Sequence, residues 1–174
     1  MTGTRERQAG PGLLGIYLND HLAGATAGTG LAHRMAASGH QRATGGDGAL
    51  RQLAAEISRD RETLLEFMAA LGVPVRAYKL WAAWAGEKAG RLKPNGRLAS
   101  RSPLSSLEEL ETLRLGVEGK AAGWRTLRVL AGRDTRLDPA RLDDLIARAR
   151  RQADQIEELR VTAADQVITA DPPR

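Results

Sequence analysis

The side chains that could do chemistry are four carboxylates and one histidine, spread over three stretches of helical pattern. Asp20 and His21 lie in the first stretch, Glu56 and Asp60 in the second, and Glu118 in a later one. In antiparallel packing these residues fall within one or two helical turns of one another in height. Carboxylates that converge in a low-dielectric interior must bind a cation, pair with a base or take up protons.

Two interpretations of this polar layer remain open. In the first, it is a polar core in which Asp60 pairs with Arg61 or Arg148, since buried charges are usually paired. In the second, Asp20, His21, Glu56, Asp60 and Glu118 hold a divalent metal of iron or manganese type. We favour the paired core and therefore expect no cofactor. Gln152 and Gln155 of the last helical stretch are predicted to lie near the same level.

A second candidate site is a basic segment near the middle of the chain. The net charge of +5 comes entirely from residues 74–103, which carry seven cations against Glu87 alone. These cations are Arg76, Lys79, Lys88, Arg91, Lys93, Arg97 and Arg101. Together with Trp81 and Trp84 they could bind a polyanion, either single-stranded nucleic acid or an acidic membrane surface. The alternative is that the Trp pair docks this segment on the protein and the cations face water.

The elements that must position these residues are helices. Apolar residues recur at helical spacing in five segments, about residues 11–38, 49–71, 75–91, 105–130 and 138–168, with the third one short. Gly72 and Pro74 end the second helix, Ser105 or Ser106 with Glu108 and Glu109 resembles a capping box, and Asp138 is a candidate N-cap. No segment has the period of a β-strand.

Four of these helices are of similar length, roughly 35 to 45 Å at 1.5 Å per residue. Matched lengths favour an all-α, antiparallel four-helix bundle. The connection between the second and third long helices is too long for a hairpin, and it contains the extra short helix. A crossover along the bundle would make those two long helices parallel, as in ferritin-like folds.

Glycines are unusually frequent in the first helix, where each costs roughly 1 kcal/mol relative to alanine. Glycines that are kept in a helix despite this cost usually serve one of two purposes. They let two helix backbones approach closely, or they leave space that a side chain would otherwise fill. Gly24 and Gly28 share one face of the first helix, and Gly116, Gly119 and Gly123 lie on the third long helix. We expect these glycines to let the two backbones approach, so that Gly28→Leu would overpack the contact.

Two strings of the sequence carry a resemblance to known proteins. YLNDHLAGATAG stands at residues 17–28 and LGVEGK at 115–120, and both resemble a group of bacterial proteins of unknown activity within the ferritin-like superfamily. The di-iron pattern of that superfamily implies single carboxylates on two helices, for which Asp20 and Glu118 can stand, and Glu-x-x-His on the other two. Here Glu56 is followed three residues later by Arg59, and both histidines are missing.

The amino-acid composition excludes several classes of site and reaction. The chain has 174 residues, of which 42% are hydrophobic and 3% aromatic. It contains no cysteine, which excludes disulfides, thiolate catalysis and cysteine-ligated zinc.

We expect a disordered stretch at 1–10, a single helical-bundle domain at 11–168 and a disordered tail at 169–174. No membrane span is expected, because Asp20 and His21 would be costly in lipid, and we expect a cytoplasmic location. The predicted function is a non-catalytic binding or structural module, with a homodimer or a helical protein partner left open.

Overall fold

The computed structural model describes residues 12–37, 48–76 and 103–170, and all regular secondary structure in these ranges is helical. The helices are α1 (Leu13–Ala37), α2 (Ala49–Ala70), α3 (Pro103–Ala131) and α4 (Pro139–Ala170). The prediction of an all-α protein with four long helices is confirmed for this part of the chain. Most of the short helix expected over 75–91 lies outside the described residues, as does the N-terminal stretch 1–10.

The helix ends follow two of the three predicted signals. Gly72 has a φ of +69°, and the N–H of Val73 donates to the carbonyl of Met68 at 2.8 Å, which closes α2 in a Schellman motif. Asp138 caps α4, because its Oδ1 accepts the N–H of Ala140 at 2.9 Å.

The third signal and the C-terminal boundary were predicted wrongly. Helix α3 begins at Pro103, so Ser105 and Ser106 lie inside it and do not form a capping box at its start. Proline suits a first helical position because its missing N–H would have no partner there. Helix α4 continues to Ala170 and takes in the first two residues of the expected tail.

Contacts between side chains define the direction of each helix. His33 pairs with Ser58 and Asn19 with Pro74, so α1 and α2 are antiparallel. Arg128 pairs with Asp143 and Arg114 with Glu157, so α3 and α4 are antiparallel too.

Helices α1 and α3 also pack against each other in opposite directions. The hydroxyl of Tyr17, early in α1, lies 2.9 Å from Oγ1 of Thr126, late in α3. Since α1 is antiparallel to both α2 and α3, those two run parallel. The end of α2 and the beginning of α3 therefore lie at opposite ends of the bundle.

The core consists of leucine, alanine and a few larger residues. Leu22, Met35, Leu53, Met68, Leu142 and Ile156 are completely buried. Phe67 of α2 meets Trp124 of α3 edge-on, with ring centroids 6.0 Å apart. Trp124 is therefore part of the core, at 2% exposure.

Asn19 of α1 holds the segment that follows α2 against the side of α1. This side chain is 2% exposed; its Nδ2 donates to the carbonyls of Gly15 and Pro74, and its Oδ1 accepts the N–H of Arg76 at 2.7 Å. The amide thus satisfies two backbone groups beyond the end of α2 that would otherwise need other partners.

Candidate functional site

Asp60 of α2 is the centre of a buried polar cluster. Its side chain is 1% exposed, and Lys120 Nζ of α3 lies 2.5 Å from its Oδ2. Arg148 Nη2 of α4 lies 2.5 Å from its Oδ1, an ion pair that is not aligned as a hydrogen bond. One carboxylate thus joins three helices. Of the partners expected for Asp60, Arg148 is confirmed, whereas Arg61 instead donates to Thr26.

Gln152 of α4 connects this ion pair to a second carboxylate. Its Oε1 accepts from Lys120 Nζ at 2.5 Å, and its Nε2 donates to Glu56 at 3.1 Å and more weakly to Asp60 at 3.3 Å. Gln52 also donates to Glu56 at 3.1 Å. The prediction that Glu56, Asp60 and Gln152 lie at one level is confirmed.

The cluster alters the titration of two of its members. Burial lowers the pKa of Lys120, although the attraction of Asp60 opposes that shift. For Glu56, burial is again the largest single influence and raises the pKa, but hydrogen bonds from Gln152 and Gln52 and the nearby charges of Arg59 and Arg148 together outweigh it, so the net shift is downward.

Glu118 was expected in this layer, and that expectation is wrong because its side chain is exposed. Positions 118 and 120 point roughly 200° apart on a helix of 3.6 residues per turn, and Lys120 takes the inward one. Asp20 is exposed as well, at the edge of α1. The five candidate metal ligands therefore do not converge in one buried layer.

His21 is half-buried between α1 and α3. Its ring meets Tyr17 edge-on, with centroids 4.3 Å apart. On its other side is Gly123, where an added Cβ would lie 3.1 Å from Nδ1. Burial lowers the pKa of His21, opposed by the negative charge of Asp20.

Beside the Asp60 cluster lies a cavity of about 400 Å³ between α1 and α3. One wall is the face of α1 with Tyr17, His21, Gly24 and Gly28, and the floor is Ile57, Asp60 and Leu64 of α2. The opposite wall belongs to α3 and contains Leu113, Gly116, Val117, Gly119, Lys120, Gly123, Trp124 and Leu127. The walls are apolar except at Lys120 and Asp60 on the floor side and at Asp20, His21 and Tyr17 on α1.

Five glycines line this cavity, and three of them, Gly24, Gly116 and Gly119, are exposed, so the cavity opens to solvent between the helices. A Cβ at Gly24, Gly28, Gly116 or Gly119 would meet nothing within 4 Å. The expectation that these glycines let the helix backbones pack closely is therefore wrong, and only Gly123 is in tight contact. The alternative purpose of such glycines, room for something between the helices, agrees with the geometry.

Lys120 is the hydrogen-bond donor on the floor side of the cavity, and Trp124 packs in the wall next to it. Lys120 Nζ has three N–H groups, and Asp60 and Gln152 account for two of them. Trp124 is 2% exposed, and its buried indole N–H has no hydrogen-bond partner within the part of the chain that the structure describes. A buried donor without a partner costs about 1–3 kcal/mol of stability.

Neither alternative site is assembled by the described residues. Within 12–37, 48–76 and 103–170, no group of three or more His, Asp or Glu side chains is placed to hold a metal ion. Of the basic segment, only Arg76 is described, and its backbone N–H is bound to Asn19. Lys79, Lys88, Arg91, Lys93, Arg97 and Arg101 lie outside the described residues, as do Trp81 and Trp84.

Sequence reasoning missed Lys120 as the partner of Asp60, although a signal was present. Lys120 interrupts an otherwise apolar stripe on α3, formed by Leu113, Val117, Trp124 and Leu127 at spacings of three and four residues. A lysine inside such a stripe indicates a buried cation that needs a carboxylate.

Comparisons with known proteins assign neither a family nor a function to this chain. No family model matches the chain, and no curated protein or solved structure is significantly similar to it. None of the described helices is both long and apolar enough to cross a bilayer.

Proposed function

We propose that this bundle is a non-catalytic binding protein, and that its site is the cavity between α1 and α3. The observation that carries the proposal is the glycine lining: Gly24, Gly28, Gly116 and Gly119 leave space where any other residue would place a side chain. Each of these glycines weakens its helix by roughly 1 kcal/mol relative to alanine. A cavity that is occupied by a ligand accounts for glycines on both facing helices despite that cost.

The size and polarity of the cavity define the ligand class. Its volume of about 400 Å³ falls at the small end of the range for ligand pockets, roughly 300–1,000 Å³. Leucine, isoleucine, valine and tryptophan side chains form most of the remaining wall. The ligand is therefore a compact, largely apolar molecule, of about the size of two fused rings with a short substituent.

Binding of naphthalene to purified protein tests this proposal. Calorimetric titration should show one site per chain, and the ligand should raise the melting temperature by linkage. Gly28→Leu/Gly116→Leu should fill the cavity and abolish binding while the helical circular dichroism persists. Ala122→Leu is the matched control, since Ala122 is exposed on α3 outside the cavity. Binding that survives in the filled variant, or no binding to the wild type, would overturn the proposal.

We further propose that the bundle is of ferritin-like type. The support is the parallel direction of α2 and α3, which follows from the antiparallel pairing of each with α1. The metal function of that superfamily has weaker support here, because both oxygens of Asp60 face cationic side chains. Polyanion binding through residues 76–101 and a cytoplasmic location stay predictions of the sequence.

A further inference from the structure

We propose that the ligand of this cavity is uncharged and carries one hydrogen-bond-accepting oxygen, which Lys120 binds. This inference rests on the proposed function and specifies the ligand's chemistry. It follows from three features of the cavity: the position of the Lys120 ammonium, the balance of charge around it, and the apolar character of the remaining wall.

The ammonium of Lys120 is held in place before a ligand arrives. Asp60 Oδ2 and Gln152 Oε1 each lie 2.5 Å from Nζ, and Gln152 is itself fixed by Glu56. The lysine side chain retains 12% exposure and lines the cavity, whereas Asp60 below it retains 1%. The third N–H of Nζ is thus a preorganised donor for an acceptor inside the cavity.

The charges around the cavity favour an uncharged ligand over an anion. Lys120 and Arg148 are matched by Asp60 and Glu56, so these four side chains carry no net charge before binding, and the further cation near Glu56, Arg59, is exposed. Asp20 adds a negative charge at the α1 edge, beside His21, whose pKa is lowered by burial. A carboxylate ligand would bring an unmatched charge into an apolar cavity, which is costly, whereas a carbonyl or ether oxygen would not.

Away from the polar side chains at the α1 edge, the wall around this donor is apolar. Gly116, Val117 and Leu113 on α3 and Gly24 and Gly28 on α1 offer no further side-chain donor. The indole N–H of Trp124, one turn beyond Lys120, has no partner among the described residues, but its nitrogen is fully buried, so it is not a donor open to the cavity. A ligand with several polar groups would leave most of them unsatisfied, which costs affinity.

Three probes that share one ring system test this inference. They are 2-acetylnaphthalene, its oxygen-free isostere 2-isopropenylnaphthalene, and 2-naphthoate. In the wild type, we expect the ketone to bind about tenfold tighter than the isostere, as one hydrogen bond to a charged donor implies, and the carboxylate to bind weakest. In Lys120→Met, the ketone and the isostere should bind within about twofold of each other, since the distinguishing donor is gone.

Lys120→Met leaves the buried Asp60 with only one cationic partner, which could destabilise the fold. A second variant therefore controls for misfolding. Asp60→Asn/Lys120→Met removes both charges of the pair and should also lose the preference for the ketone. Equal binding of ketone and isostere to the wild type would overturn this inference and leave the proposed function standing. Tightest binding of 2-naphthoate would overturn the uncharged class. No binding of any probe would overturn the proposed function itself.

Discussion

The imidazole of His21 lies against the backbone of Gly123, so closely that a Cβ at position 123 would come within 3.1 Å of Nδ1. Of the glycines that line the cavity, this is where α1 and α3 are in tight contact. At Gly24, Gly28, Gly116 and Gly119, the space between the helices is open. The same residue type therefore has opposite roles within one helix pair, and substitutions should distinguish them.

The first prediction concerns these two kinds of glycine. Gly28→Ala should raise the free energy of unfolding by up to about 1 kcal/mol, because alanine is the better helix former and its methyl group meets nothing. Gly123→Ala should yield a smaller gain or a loss, because its methyl group must displace the ring of His21. Chemical denaturation of both variants measures the difference. A Gly123→Ala protein as stable as Gly28→Ala would show that the ring moves without cost.

The second prediction concerns the buried carboxylate. Asp60→Ala should lower the free energy of unfolding by roughly 3–5 kcal/mol, because it leaves Lys120 and Arg148 without their shared partner. Glu118→Ala is the matched control and should change it by less than about 0.5 kcal/mol, since Glu118 is exposed. Urea melts of the two variants make the comparison. Similar losses in both would mean that Glu118 is part of the structural core after all.

The third prediction concerns acid pH. Since burial lowers the pKa of His21, the unfolded chain binds more protons than the folded chain between that lowered pKa and about 6.5. The contribution of His21 to stability is therefore complete above this window and falls as the pH drops through it. His21→Gln should flatten the pH dependence of unfolding over this range. A His21 resonance that titrates at or above 6.5 in the folded protein would contradict the prediction.

The fourth prediction concerns divalent metals. Because Lys120 and Arg148 already neutralise Asp60, manganese(II) or iron(II) should leave the melting temperature of the wild type unchanged. Asp60→Ala serves as the comparison, since it removes the central carboxylate. A metal-dependent rise in the wild type that is lost in this variant would instead support the carboxylate metal site.

The helices could be predicted from sequence because their signals are local. Gly72 and Asp138 act on the turns next to them, so their roles follow from residue type and spacing. The pairing of Asp60 with Arg148 could be anticipated, because a buried carboxylate requires a cation. The purpose of Gly24 and Gly28 could not be decided, since close packing and an open cavity call for the same residue. That choice depends on the separation of α1 and α3, which the whole bundle sets.

The distribution of charge in the Asp60 cluster determines which halves of the chain can associate. Both carboxylates, Asp60 and Glu56, belong to the α1–α2 hairpin, whereas both cations, Lys120 and Arg148, belong to the α3–α4 hairpin. Two copies of the first hairpin would bury carboxylate against carboxylate, and two copies of the second would bury cation against cation. Only the unlike pair is neutral, so the cluster selects against the association of two like hairpins.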